Sequence, residues 1–220
     1  MPEYIPLTFG LEALYPPMAL APAQAREFYM RLADPCRFNE FRLLGEGQGA
    51  RLAEGGNRSL VIAPDRMTYQ DDFTQAMFTT FIEDVDRIVK TLRDVFHIPI
   101  LIHSKILIRL LMPYQSEDNT VEFFQKTVMS SAAPLFGKFE RPLSGVGLKM
   151  VFPPTPDHHS NFNLRIEPYF RDLKMFFLEN SAQFFDPIIS FSDLTKNMEN
   201  SYEFLKEKAG PFVLALTPPS

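Results

Sequence analysis

Apolar residues at Ile5, Leu7, Phe9, Leu11 and Ala13 alternate with Pro6, Thr8, Gly10 and Glu12, which predicts a half-buried strand closed by Pro16-Pro17. Residues 22–33 carry Phe28, Arg31 and Leu32 at helical spacing and stop at Pro35. From Phe38 to Gln70, apolar runs broken by Gly45, Gly55-Gly56-Asn57 and Pro64-Asp65 predict three or four strands joined as hairpins. A stripe of Phe81, Val85, Ile88, Val89, Leu92 and Phe96 predicts a long amphipathic helix over 73–96, its start capped by Asp71-Asp72. The period then returns to two. Ile100, Ile102, Ser104, Ile106, Ile108, Leu110 and Met112 form one face of a long strand, with His103, Lys105 and Arg109 on the other. A helix over 119–129, strands over 143–152 and 162–166, a strand over 173–184 and a last helix over 190–208 complete the series.

Read this way, the chain runs strand, helix, strands, helix twice. Leu60-Val61-Ile62-Ala63-Pro64 recurs as Leu164-Arg165-Ile166-Glu167-Pro168, and Glu27-Phe28-Tyr29 recurs as Glu122-Phe123-Phe124. The strand-closing prolines Pro16 and Pro113 lie 97 residues apart and the two Leu-x-Ile-x-Pro copies 104 apart, as late insertions in a duplicate would give. The expected fold is therefore α+β, with pseudo-repeats 1–97 and 98–220 sharing one curved antiparallel sheet and helices packed on one face. At the 97-residue offset Glu12 is the mate of Arg109, and an ion pair between them is expected near the centre of the sheet.

This order of elements resembles the helix-grip repeat of the TATA-binding-protein fold, in which two such halves form one saddle-shaped sheet. The stretches 62–73 and 164–179 resemble those of a family of bacterial proteins of similar length to which no activity is attached. Neither resemblance carries over a catalytic residue. In the TATA-binding fold the concave face takes DNA with basic and apolar side chains. The present chain has 22 Lys and Arg against 27 Asp and Glu, and its formal charge of −5 argues against nucleic acid as the partner.

Twenty-two Phe against no Trp predicts a core built on phenylalanine. Cys36 is the single cysteine; it excludes an internal disulfide, reads as a small buried apolar residue, and suits a reducing, cytoplasmic setting. The most apolar run, 98–112, is interrupted by His103, Lys105 and Arg109, so no membrane partner is expected.

Candidate chemistry is sparse. Parity puts Glu12, His103, Lys105, Arg109, Lys149, Arg165 and Glu167 on the open face of the sheet. That face reads either as a binding surface for a protein, a peptide or a small anionic ligand, or as a solvated surface with weak ion pairs. His158 and His159 are adjacent in a proline-rich loop. They are weak metal candidates for a metal-dependent hydrolase, because neighbouring histidines diverge and their spacing supplies no third ligand. Ser144 and Cys36 lack a neighbouring base or an elbow motif. The run from Gly45 to Gly49 is followed by no Gly-Lys-Ser or Gly-Lys-Thr, so it reads as a hairpin rather than a phosphate loop. The Phe176-Phe177 and Phe184-Phe185 pairs fit a strand buried on both faces or a homodimer interface. No catalytic residue and no cofactor is assigned. The leading expectation is a binding or interaction protein that works through its open sheet face, with the hydrolase and nucleic-acid readings behind it.

Overall fold

The computed structural model describes residues 3–45, 47–74, 76–141 and 143–216; Glu46 of the glycine-rich run lies outside them. The chain is a mixed α+β protein whose nine strands form one sheet, and every strand pairing in it is antiparallel. The strands are β1 (Ile5–Leu14), β2 (Glu40–Leu43), β3 (Ala50–Glu54), β4 (Arg58–Ala63), β5 (Arg66–Asp72), β6 (His103–Pro113), β7 (Leu148–Phe152), β8 (Ser160–Pro168) and β9 (Met175–Phe184). Across the sheet they run β2-β3-β4-β5-β1-β6-β9-β8-β7. Strands β1 and β6 lie at the centre, paired along both edges; the alternate positions His103, Lys105, Leu107 and Arg109 of β6 stay partly exposed on the open face.

The helices follow their periodicity. They are α1 (Pro22–Leu32), α2 (Phe78–Phe96), the single turn α3 (Thr120–Phe123), α4 (Phe191–Glu203) and α5 (Gly210–Ala215). The expected stripe of α2 is buried, and the helix ends at His97 in the left-handed conformation, just ahead of Pro99. Ser190 and Asp193 form a reciprocal capping box at the start of α4. Phe9 of β1 marks where the helices meet the sheet: its ring lies 5.4 Å from Phe78, 5.3 Å from Phe81 and 6.3 Å from Tyr202. Phenylalanine also dominates below α3, where Phe123, Phe124 and Phe176 pack edge to face.

Several expectations are corrected. Helix α2 starts at Phe78, because Asp71 and Asp72 belong to β5 and Phe73 leaves the strand at φ 50°. The two aspartates therefore cap nothing; Asp71 instead accepts hydrogen bonds from Arg58 and Thr74. The Glu12–Arg109 ion pair is absent. Glu12 lies opposite Lys105, Thr8 lies opposite Arg109, and the Arg109 Nε donates to Glu179 at 2.7 Å. Antiparallel pairing explains the miss. At a 97-residue offset only Gly10 and Leu107 face each other, and each step away moves the two residues in opposite directions along the strands. Strand β7 is also shorter than the expected 143–152, and its last residue, Phe152, on the inward-facing parity of that strand, is 42% exposed.

Candidate functional site

Three places gather polar or concave features, and the open sheet face is the first. Register lines up Asp72, Thr8, Arg109, Glu179, Arg165 and Lys149 in one row across β5, β1, β6, β9, β8 and β7. The sheet thus brings Arg109, Arg165 and Lys149 together, as parity suggested. It also brings Glu179, which the sequence reading left out. Glu179 bonds Arg109 and stands 3.7 Å from Arg165, and Arg165 donates to Glu167 at 3.2 Å while lying over the Phe177 ring. Two of the three cations are thereby neutralised within the face. Glu12 and Lys105 lie two rows away on the same face, beyond Gly10 and Leu107, opposite each other but without an ion pair within 4.0 Å among the described residues. His103 is half-buried, with its ring 5.3 Å from Phe185.

The second place is a polar pocket of about 610 Å³ at the end of β4 and β5, floored by Arg58. Arg58 is 5% exposed. Its guanidinium donates to Asp71 at 3.1 Å and to the Cys36 carbonyl at 3.2 Å, and lies 3.3 Å from Glu54 and 3.7 Å from Asp84. Asp84 also accepts from the Tyr69 hydroxyl at 3.2 Å and from Arg87 at 3.1 Å. Burial pushes the Asp84 carboxyl above the ordinary carboxylate range, with Arg58, Tyr69 and Arg87 pulling it back. Cys36 beside it is buried, and its thiol is pushed up to about 12, chiefly by desolvation. Arg37 and Phe73, both at positive φ, border the pocket. The buried charges at its floor are engaged with one another, the arrangement of a structural anchor.

The third place is a cavity of about 880 Å³ between β7, β8 and the C-terminal helices. Met150, Phe152, Phe162 and Leu164 line its sheet side, and Phe204, Ala209 and Phe212 line its helix side. The Phe204 ring is 4.7 Å from Phe162 and 5.4 Å from Phe152. Local chain chemistry shapes this wall. Between α4 and α5, residues Phe204–Ala209 form a π-helical turn in which the Gly210 N–H reaches back to the Leu205 carbonyl. The next donor in that pattern would be Pro211, which has no N–H, and the Tyr4 hydroxyl donates to the orphaned Lys206 carbonyl at 3.1 Å instead. Gly210 makes the room, because a Cβ there would collide with the Tyr4 hydroxyl. Such turns widen a helix locally and recur at functional sites. Glu203, Glu207 and Lys208 stand exposed at the mouth, and among the described residues none of the three has an ion-pair partner.

The two adjacent histidines part company. His158 lines the cavity, whereas His159 faces away and bonds Asp186 at 2.9 Å. Among the described residues no three His, Cys, Asp or Glu side chains gather as a metal-holding group. The Asp186 hydrogen bond, reinforced by its charge, raises the His159 pKa above the ordinary 6.5. A histidine raised on folding contributes its full stabilisation below the unfolded value and loses it as pH rises through the folded one. Asp186→Asn is therefore expected to shift the His159 titration, followed by NMR of its imidazole protons, toward lower pH. An unmoved titration would show that the contact does not persist in solution.

No helix of the described residues is long and apolar enough to cross a membrane. No protein-family model and no curated protein matches the chain.

Proposed function

We propose that the protein is a binding protein whose ligand occupies the apolar cavity between β7, β8 and the π-helical turn, on a scaffold of two pseudo-repeated halves. The observation that carries this reading is the cavity itself: about 880 Å³, walled by aromatic and aliphatic side chains, is the size and character of a ligand site. Phe204 of the helix side packs on Phe162 and Phe152 of the sheet side, so aromatic rings join the two walls. The open sheet face comes second because Glu179 occupies Arg109 and Arg165; Lys105, unpaired beside Glu12, is the feature that keeps a small anionic ligand there in view. The single buried Cys36 supports a reducing, cytoplasmic setting.

Register supports the two-half scaffold. From Gly10 opposite Leu107, pairing leads outward from Glu12 to Thr68 to Val61 on one side and from Arg109 to Glu179 to Arg165 on the other. Val61 is thereby matched with Arg165, and Leu60 with Leu164, at the same 104-residue spacing that separates the Leu-x-Ile-x-Pro copies. One further step matches β3 with β7, since Leu60 faces Leu52 and Leu164 faces Met150.

Nile red, a neutral dye that brightens in apolar surroundings, tests the cavity. Binding is expected to weaken at least about tenfold in Phe204→Glu, which places a charge inside the wall, and to survive in Phe204→Leu. Equal binding by both variants, with unchanged circular dichroism, would place the dye elsewhere and overturn the reading.

A further inference from the structure

We infer that the natural occupant is an extended peptide segment of another protein that adds as a tenth strand to β7, placing alternate apolar side chains in the cavity and a basic residue beside Glu203 and Glu207. The inference rests on the cavity reading and on the matching of β3 with β7.

Three observations converge. First, β7 pairs with β8 on one side only, and among the described residues no backbone or side-chain group bonds to its other edge. Natural edge strands are commonly blunted by charge, proline or brevity. Both edge strands are short: β2 carries Glu40 and Arg42, and β7 carries Lys149 and runs into Pro153-Pro154, but β7 also leaves Val151 and Phe152 54% and 42% exposed at its end. Second, β2 covers β3, the strand that register matches with β7, and it delivers Phe41 against Tyr29 with ring centroids 5.1 Å apart. Nothing among the described residues does the same for β7. A strand added there would direct every second side chain to the helix side, where the cavity lies under Met150 and Phe152. A free edge giving main-chain hydrogen bonds, beside a pocket for alternate side chains, is the arrangement of strand-addition recognition. Third, the mouth has a sign. Glu203 and Glu207, one helical turn apart, outnumber Lys208 there and carry no counter-charge of their own. A basic residue on the incoming segment supplies it.

The probe is a capped nonapeptide of alternating threonine and phenylalanine or valine with a lysine at each end, labelled for fluorescence anisotropy. Saturable binding is expected, weaker by about fivefold or more when the lysines are replaced by glutamates, with that preference lost in a Glu203→Gln, Glu207→Gln double variant. Backbone N-methylation decides the mode. Methylating one alternate set of amides should abolish binding, since those amides face β7, while methylating the complementary set should leave it intact. Equal effects of the two sets, or no preference for lysine over glutamate, would overturn the inference. So would a failure of the peptide to bind while Nile red still binds, and that result would leave the cavity reading standing; loss of both would remove the cavity reading as well. Finding that the chain self-associates through this edge, with a dimer in sedimentation that Val151→Pro disperses, would assign the slot to a second copy and refute a heterologous peptide.

Discussion

Arg58→Met is expected to cost the folded protein about 3–5 kcal/mol in urea unfolding, because it leaves buried carboxylates without their counter-charge. Arg58 is held between Asp71, Asp84 and Glu54, and the first two are as buried as it is. The loss carries a pH signature. Asp84 is already raised by burial, and Arg58 is the leading influence pulling it down, so the variant raises it further. A carboxyl raised on folding is best tolerated protonated: its relative stabilisation is complete below the unfolded value and disappears as pH rises through the folded one. The deficit is therefore largest near neutrality and shrinks as pH falls toward about 4, the ordinary carboxylate value. Replacing Arg58, Asp71 and Asp84 together by apolar residues of similar size should cost less than Arg58→Met alone, since the only carboxylate then left without Arg58 is Glu54, which reaches solvent. A deficit under about 1 kcal/mol and flat with pH would mean that water, not burial, governs this cluster.

Phe9→Ala is expected to cost about 3–5 kcal/mol, the range for deleting a buried aromatic ring. Its larger consequence is for cooperativity. Phe9 is fully buried on β1 and touches Phe78 and Phe81 of α2 together with Tyr202 of α4, while Tyr202 itself stacks on Phe78 at 4.2 Å. One ring thus joins the two long helices to the centre of the sheet. Hydrogen exchange should show the amides of α2 and α4 losing protection together in the variant. Loss confined to one helix would mean that the helices are held independently.

Much of the framework is legible in the chain. Alternation at Ile5–Ala13 and Ser104–Met112 marks the two central strands, and the stripe from Phe81 to Phe96 marks α2, because burial of one face imposes its period on the residue pattern; ahead of β6 the expected alternation fails, with Leu101 buried and Ile102 46% exposed. Even the Arg58 network left a trace. Arg58 shares the inward parity of Leu60 and Ile62, Asp71 that of Met67 and Tyr69, and Asp84 lies on the stripe between Phe81 and Ile88. Three charges at core positions on neighbouring elements signal a buried ion cluster, provided parity is applied to polar residues as strictly as to apolar ones. Asp71-Asp72 misled for the converse reason: acidic pairs before apolar runs are common helix caps, and it is pairing with Phe9 and Thr8 of β1 that holds these two in the strand, which Phe73 leaves at φ 50°.

Local periodicity alone marks most core-facing positions of the central strands and of α2, and places Arg109, Lys149 and Arg165 on one open face. Pairing was left to the tertiary structure. Which residue stands opposite which depends on strand register, and a shift of a few positions turns an expected Glu12–Arg109 contact into the Arg109–Glu179 one. The cavity is decided at the same level. Met150, Phe152 and Phe162 have the inward parity of core residues; they line a cavity because the C-terminal helices meet this end of the sheet mainly through Phe204 and, among the described residues, no strand covers β7. Concavity belongs to the arrangement of whole elements, so periodicity within a single element carries no record of it.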